Sequence, residues 1–424
     1  MNAEETGFVL RAWKVLKQGP FRRYIIGSAI SDTGTWMQVM AQGWVMSTLT
    51  SHAIVLGMVN FAAGIPTLAF TMAGGSAADR HDKRLILIVT QIVQIITAVA
   101  IGLLVLTDVI RIWHVILIAA VLGVCIAFEM PAINALVPEL VTKDEIATAI
   151  ALDRSVFHGS RLVGPSLAGL FVAWWGAASA FFCNALSFIA LIIALISLPP
   201  RVKGSAEEEE QRRSGFKEGL RYVRSDRTIL SMIALIAMTT IFVFPVISVM
   251  LPLYVRNLLH LGPDKLGMLM GTSAVGALSG SIGLLSVARA HRFRFMTAAA
   301  VLAAIALFLL SRSNSFLLTA LCMGSLAIGI SLNFGLAGTI VQERSPNALR
   351  GRVSAIFGLS FFGLMPIAGL LITGLSDLIG MRTALAVAAV LYGIGSVLVL
   401  GAAGRTVCEK AKTPVAEAET APIA

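Results

Sequence analysis

The sequence predicts an all-α membrane protein of twelve transmembrane helices in two six-helix bundles. Three observations carry that prediction. The 424 residues are 57% hydrophobic and only 13% charged, with a mean hydropathy of +0.85, whereas soluble domains carry roughly 25% charged residues. A bilayer core about 30 Å thick needs roughly 20 apolar residues per helix, and about twelve such runs can be counted. One long polar stretch before the tail, residues 199–227, divides those runs six and six.

In chain order, residues 1–22 form a polar arm, and no small-residue cleavage site follows the first apolar run, so a signal peptide is not expected. Within the arm, Val9, Trp13 and Leu16 share one helical face and Arg11, Lys14 and Lys17 another, predicting a short helix at the membrane surface. The first bundle, 23–198, holds spans near 23–48, 53–76, 85–106, 113–136, 148–173 and 178–198. The linker 199–227, with its acidic run at 207–210, reads as solvated and cytoplasmic. The second bundle, 228–402, holds spans near 228–250, 265–287, 296–311, 315–340, 354–374 and 383–402, and a tail follows over 403–424. Strands of a membrane barrel alternate over about ten residues; these runs are continuously apolar for twice that length.

Net charge excludes one class and orients another. A charge of +10 and a pI near 9.8 would point to nucleic acid only if the basic residues lay on one folded face. They are scattered through short loops, so no nucleic-acid partner is expected. Counted on alternate sides, 26 Lys and Arg fall on one side and five on the other, which places both termini in the cytoplasm of a multi-pass inner-membrane protein. Cys125, Cys183 and Cys322 lie inside apolar runs and Cys408 in the tail, without metal or redox spacing. Neither a metal, a cofactor nor an enzymatic activity is expected, since no nucleotide-binding signature or metal-spaced histidine pair occurs.

The two halves repeat one another in short matches. "LGM" at 56–58 recurs at 266–268, "VPE" at 137–139 corresponds to "VQE" at 341–343, and Pro165 corresponds to Pro366. Offsets of 210, 204 and 201 residues fit one ancient duplication.

Two segments carry motifs. The loop after the second span, "GGSAADRHDKR", places Gly75, Asp79, Arg80, Lys83 and Arg84 in the order of the signature G-x3-D-[RK]-x-G-x-[RK]-[RK], with Asp82 where that signature has glycine. The glycine lets helices approach and the aspartate is suited to capping a helix N-terminus. In the fifth span, Gly164, Pro165 and Gly169 match G-x3-G-P-x2-G-G, with Ser160 and Ala168 as small replacements for glycine; proline there allows a bend. Together with "DTGTWMQ", "FEMPAINALVPELV" and "LRGRV", these segments resemble the major facilitator superfamily, in the branch of enterobactin-type siderophore exporters and drug:proton antiporters. The resemblance spans essentially the whole chain.

An ionisable group at mid-bilayer costs several kcal/mol and usually faces a cavity. Asp32 lies about ten residues into the first span, Glu129 about seven from the cytoplasmic end of the fourth, and Arg161 at similar depth in the fifth. The resemblance places the first and fourth spans around a central cavity, making Asp32 and Glu129 the proton-carrying candidates, with Arg161 as countercharge. Gln38, Gln42, Asn134 and Asn333 are candidate polar cavity positions. Glu139 is expected to pair with Lys83 or Arg84, and His158 reads as a packing residue. Gly267, Gly271, Gly276, Gly280 and Gly283 mark a close-packing face in span eight.

The function so implied is export of a small organic molecule, drug-like or a siderophore, by proton antiport through alternating access in a monomer embedded in lipid. The alternatives are a lipid or metabolite carrier without proton coupling, or a non-transporting receptor or assembly factor on the same fold.

Overall fold

The computed structural model describes residues 11–198, 216–347 and 349–412. Val9, the acidic run at 207–210 and the end of the tail lie outside the described residues. Six helices make the first half: α1 Gly19–Leu49, α2 Ala53–Arg80, α3 Lys83–Leu106, α4 Ile112–Glu139, α5 Ile146–Trp175 and α6 Ala177–Ile196. A short amphipathic helix, α7 Phe216–Ser225, leads into α8 Arg227–Phe242. There follow α9 Pro263–Leu285, α10 Arg292–Arg312, α11 Phe316–Arg344, α12 Arg350–Phe362, α13 Met365–Ile379 and α14 Met381–Lys412.

Among the described residues, ten helical segments are long and apolar enough to cross a membrane. The expectation of twelve exceeds this by α1 and α5, which are as long, at 31 and 30 residues, but carry Asp32 and, in α5, Asp153, Arg154, His158 and Arg161. Two expected boundaries also move, both at prolines. The span near 228–250 runs on through π-helical turns at Val246–Met250 and Tyr254–Leu258, because Pro245 and Pro252 remove backbone N–H donors and the helix widens to re-pair its carbonyls. The span near 354–374 is divided into α12 and α13, with Pro366 in the first turn of α13.

The end of the molecule that holds residue 11 and the α2–α3 loop is called proximal here, and the opposite end distal. In the first half α1 packs on α5 and α6, α2 on α4, and α3 on α4 and α6; in the second α11 packs on α9 and α10, and α14 on α8 and α10. Two helix pairs carry most of the contact between the halves, α5 with α9 and α2 with α13. In both, small residues bring backbones close, which is what drives helix association where lipid is as apolar as leucine. A Cβ on Gly267 would sit 2.4 Å from the Pro165 carbonyl, and one on Gly57 would sit 3.1 Å from the Gly369 carbonyl and 2.2 Å from Thr373 Oγ1. The repeated "LGM" glycines therefore occupy corresponding places, one on each seam. Pro366 does likewise, facing Gly64. Between α5 and α6, and between α13 and α14, the chain turns at Gly176 and Gly380 with φ of +81° and +84°, a left-handed backbone that glycine adopts without strain.

All these approaches between halves lie in the distal halves of their spans, with α12 and α13 counted as one span. Further distal contacts are the Asp377 carboxylate, accepting the N–H groups of Ala53 (2.7 Å) and Ile54 (2.9 Å), and Arg256, donating to the Ser47 carbonyl. Outward, α3 exposes Leu85, Val89, Ile92 and Ile96, and α6 exposes Leu186, Ile189, Ile193 and Ile196, apolar stripes suited to acyl chains. The N-terminal arm departs from expectation. Residues 11–16 are helical, but Val15 is the fully buried side chain while Trp13 is exposed with Lys17 over its ring. Glu145, between α4 and α5, holds the arm by accepting from Gln18 and pairing with Lys14 at 3.2 Å.

Candidate functional site

The i, i+4 spacing of Tyr24, Ser28 and Asp32 stacks them on one face of α1. Ser28 Oγ donates to Asp32 Oδ2 at 3.2 Å. One turn toward the proximal end, the buried Tyr24 hydroxyl donates to Asp153 Oδ1 on α5 at 3.0 Å. Asp153 is thus a further buried acid, inside α5, which sequence reasoning passed over. Its signal was available in "ALDRSVFHGSR", where it opens the polar run of α5.

Glu129 on α4 faces α3. Its two carboxylate oxygens accept from Gln91 Nε2 at 2.7 Å and Gln94 Nε2 at 2.9 Å, and Gln91 Oε1 in turn accepts from Ser31 Oγ at 3.3 Å. These glutamines also escaped the sequence reading, because an amide in an apolar run has no motif. Arg161 joins neither acid: its guanidinium lies 5.3 Å above the Trp36 ring on α1, a cation–π contact, and among the described residues no ion pair links it to Asp32 or Glu129. Trp36 also meets Phe157 edge-on at 5.9 Å.

The amides expected around a cavity are distributed differently. Asn134 Oδ1 accepts from Arg154 Nη2 at 2.6 Å, between α4 and α5. Gln38 is buried in the α1–α6 contact, where Asn184 donates to it at 2.8 Å. Asn333 is fully buried between α11 and α14, donating to the Tyr392 hydroxyl at 3.4 Å, with its Oδ1 unpartnered. A buried amide needs partners, and helix packing supplied them for Gln38 away from the gap between the halves.

In the fifth-span motif, Ser160 and Gly164 face α1: Thr33 Oγ1 donates to Ser160 Oγ at 3.1 Å, and a Cβ on Gly164 would meet the Thr33 carbonyl and Trp36 at 2.7 Å. Pro165 and Gly169 face α9. Of the signature after the second span, Gly75 lies inside α2 with open space beside it, and Asp79 and Arg80 are exposed in the last turn of α2. The helix cap is Asp82, whose carboxylate accepts from the Arg84 N–H at 2.9 Å and pairs with its guanidinium at 3.0 Å; these contacts hold the Asp82 carboxyl below its usual range. Arg84 also donates to the Leu198 carbonyl, while Lys83 lies 3.0 Å from Glu139. The second half repeats this arrangement: Glu343, of "VQE", meets Arg292 at 2.8 Å and Arg289 at 3.3 Å at the start of α10. Among the described residues no three His, Cys, Asp or Glu side chains converge as a metal site.

Three comparisons bear on this arrangement. The chain is 23% identical to the multidrug efflux pump Tap of Mycolicibacterium fortuitum, over 90% of this chain and 96% of that protein. It is 30% identical to the staphyloferrin A transporter of Staphylococcus aureus over 38% of this chain and 41% of the other. In fold it is similar to a bacterial homolog of the human lysosomal transporter Spinster, with a TM-score of 0.68 at 14% identity, covering 94% of this chain and all of that one. The transmembrane secretion effector family matches residues 10–423, nearly the whole chain, and so the protein belongs to that family of multi-pass membrane transporters of the major facilitator type.

Proposed function

We infer that the protein is a secondary active exporter of a small organic molecule, driven by proton antiport. Twelve spans in two six-helix bundles, 23–198 and 228–402, rock about the α5–α9 and α2–α13 seams, with arm, linker and tail in the cytoplasm of an inner-membrane protein. Counting α1 and α5 with the ten apolar segments gives the twelve, and the positive-inside bias supports the orientation. Efflux relatives that match most of the chain support the direction.

The observation that carries the coupling is the unequal satisfaction of the two acids. Two glutamine N–H donors fix both carboxylate oxygens of Glu129 between α3 and α4, whereas Asp32 receives one serine hydroxyl. Glu129 is tethered at both oxygens to a neighbouring helix of its own half, so Asp32, tethered only to its own helix, is the acid left to take and release a proton as the halves move. A potential of 100 mV supplies about 2.3 kcal/mol per charge carried, sufficient for concentrative export once a proton is coupled to each cycle.

The test is proton flux and substrate efflux in proteoliposomes. Asp32→Asn should abolish uphill export while keeping downhill exchange, and Glu129→Gln should mainly lower folded yield. Uphill export with unchanged pH dependence in both variants and in the double variant removes the assignment. Orientation has its own check, since Ser205→Cys should react with an impermeant thiol reagent only from the cytoplasm; labelling from outside overturns the topology.

A further inference from the structure

We propose that the cargo of this transporter is an aromatic or otherwise planar organic anion, received by a basic stripe on α5 made of Arg154, His158 and Arg161. The proposal rests on the export reading for the word cargo, and on geometry for the sign of its charge.

The stripe follows from the seam. Leu162, Pro165, Ser166 and Gly169 are the α5 residues that meet Gly271 and Gly267 of α9. Side chains four apart stack on one helical face, so the same face continued toward the proximal end carries His158 and Arg154, past the last of these contacts with α9. Both are exposed, and Arg161, half-buried, borders them one residue before Leu162. The stripe therefore opens into the gap between the halves just proximal to where the seam closes it. The polar and ring contacts of its cations are with neutral groups, Arg154 with the Asn134 amide oxygen and Arg161 with the Trp36 ring, although Arg154 also feels the charge of its chain neighbour Asp153.

Neutralising groups are engaged elsewhere. Asp153 is turned to Tyr24, Glu129 to Gln91 and Gln94, and Asp32 to Ser28. The second half brings no acid to this depth, because 228–255, 266–288, 295–311, 313–342 and 353–376 contain no Asp, Glu, Lys, Arg or His. Among the described residues neither guanidinium is ion-paired with a carboxylate; two such charges within a bilayer are costly, and an anionic cargo supplies the missing partner. Guanidinium forks suit carboxylates, while Trp36 and Phe157 beside Arg161 give a planar cargo ring faces to stack on.

The test is equilibrium binding to the purified full chain in detergent, read by fluorescence anisotropy, with two dyes of similar tricyclic size: anionic carboxyfluorescein and cationic tetramethylrhodamine ethyl ester. Saturable binding of the anion, and weaker binding of the cation, is expected. Loss of a charged hydrogen bond corresponds to about tenfold in affinity or more, so Arg161→Gln and Arg154→Gln should each raise the anion's Kd by about that factor, with Arg161→Lys recovering part of it and cation binding no weaker in any of them. Size-exclusion chromatography reports folding, and Arg154→Gln, at the more exposed position, carries the test if Arg161→Gln is lost to misfolding. Cation binding as tight as anion binding, no saturable anion binding, or anion binding indifferent to both substitutions overturns the proposal. Binding in micelles needs neither a gradient nor export, so failure here and failure of the export reading are separate: proton-coupled export of the cation alone would sink this inference and leave that reading standing.

Discussion

The two halves of this protein share packing devices but not chemistry. Each half places an "LGM" glycine on a seam, a proline across the seam from a glycine or helix backbone, a glycine with φ above +80° in a tight distal turn, and a glutamate at the proximal end paired with a basic residue of the preceding helix. Yet Asp32, Glu129, Asp153, Arg154, His158 and Arg161 all belong to the first half, and the corresponding depth of the second is uncharged. What recurs is what helices need in order to pack closely. Charge within the bilayer is expensive, so it persists only where it does something, and one half suffices for that.

The largest expected effects break the comparison at the seams. Gly267→Val drives a side chain into the Pro165 backbone, which cannot swing aside, whereas Gly57→Val first meets the rotatable Thr373 hydroxyl. Overpacking costs about 1–3 kcal/mol, and Gly267→Val should abolish transport while Gly57→Val leaves a measurable rate. Equal losses would show that the two seams are equally unyielding. Next in size is the buried polar contrast. Asn333→Leu removes an amide whose oxygen has no partner, so thermal stability should change by less than about 1 kcal/mol and proton coupling should be unaffected. A loss of coupling would bring the second half into the chemistry.

Smaller effects sharpen the comparison at the proximal ends. Exposed ion pairs contribute about 0–1 kcal/mol, and double-mutant cycles on Lys83–Glu139 and Arg292–Glu343 should give coupling energies within that range and close to each other. Unequal values would mean that the α2–α3 loop has a duty its counterpart lacks. The smallest concerns the arm, which the second half does not duplicate. Thr142, Gln18 and Lys14 hold the Glu145 carboxyl down to about 2 from 4.5. A depressed folded value means the contribution is fully present above about 4.5 and fades as pH falls toward about 2. Hydrogen exchange of residues 11–18, corrected for intrinsic rate, should therefore quicken between pH 5 and pH 3 in the native chain and not in Glu145→Gln.

How much was legible depends on which property each residue answers to. Bilayer thickness acts on every span alike, so runs of apolar residues gave the helices, and Pro245 and Pro366 displaced boundaries only where a missing N–H changed the local ladder. Charge in an apolar run is visible one residue at a time, so Asp32, Glu129 and Arg161 stood out at once. Which of them touch was not visible. Asp82 rather than Asp79 caps α3, Arg161 lies on Trp36 and not beside an acid, and Gln38 and Asn333 are spent on packing.

By itself, then, the sequence determined that this chain lives in a membrane, how its helices are ordered and which family it resembles, because hydropathy and motif order are one-dimensional properties. Only the tertiary structure decided which acid is satisfied by glutamines and which by a single serine, that Asp153 belongs with Tyr24, and that Arg161 lies over Trp36. Those depend on the rotation of each helix about its axis, which is set by the neighbours it packs against and is nowhere written along the chain.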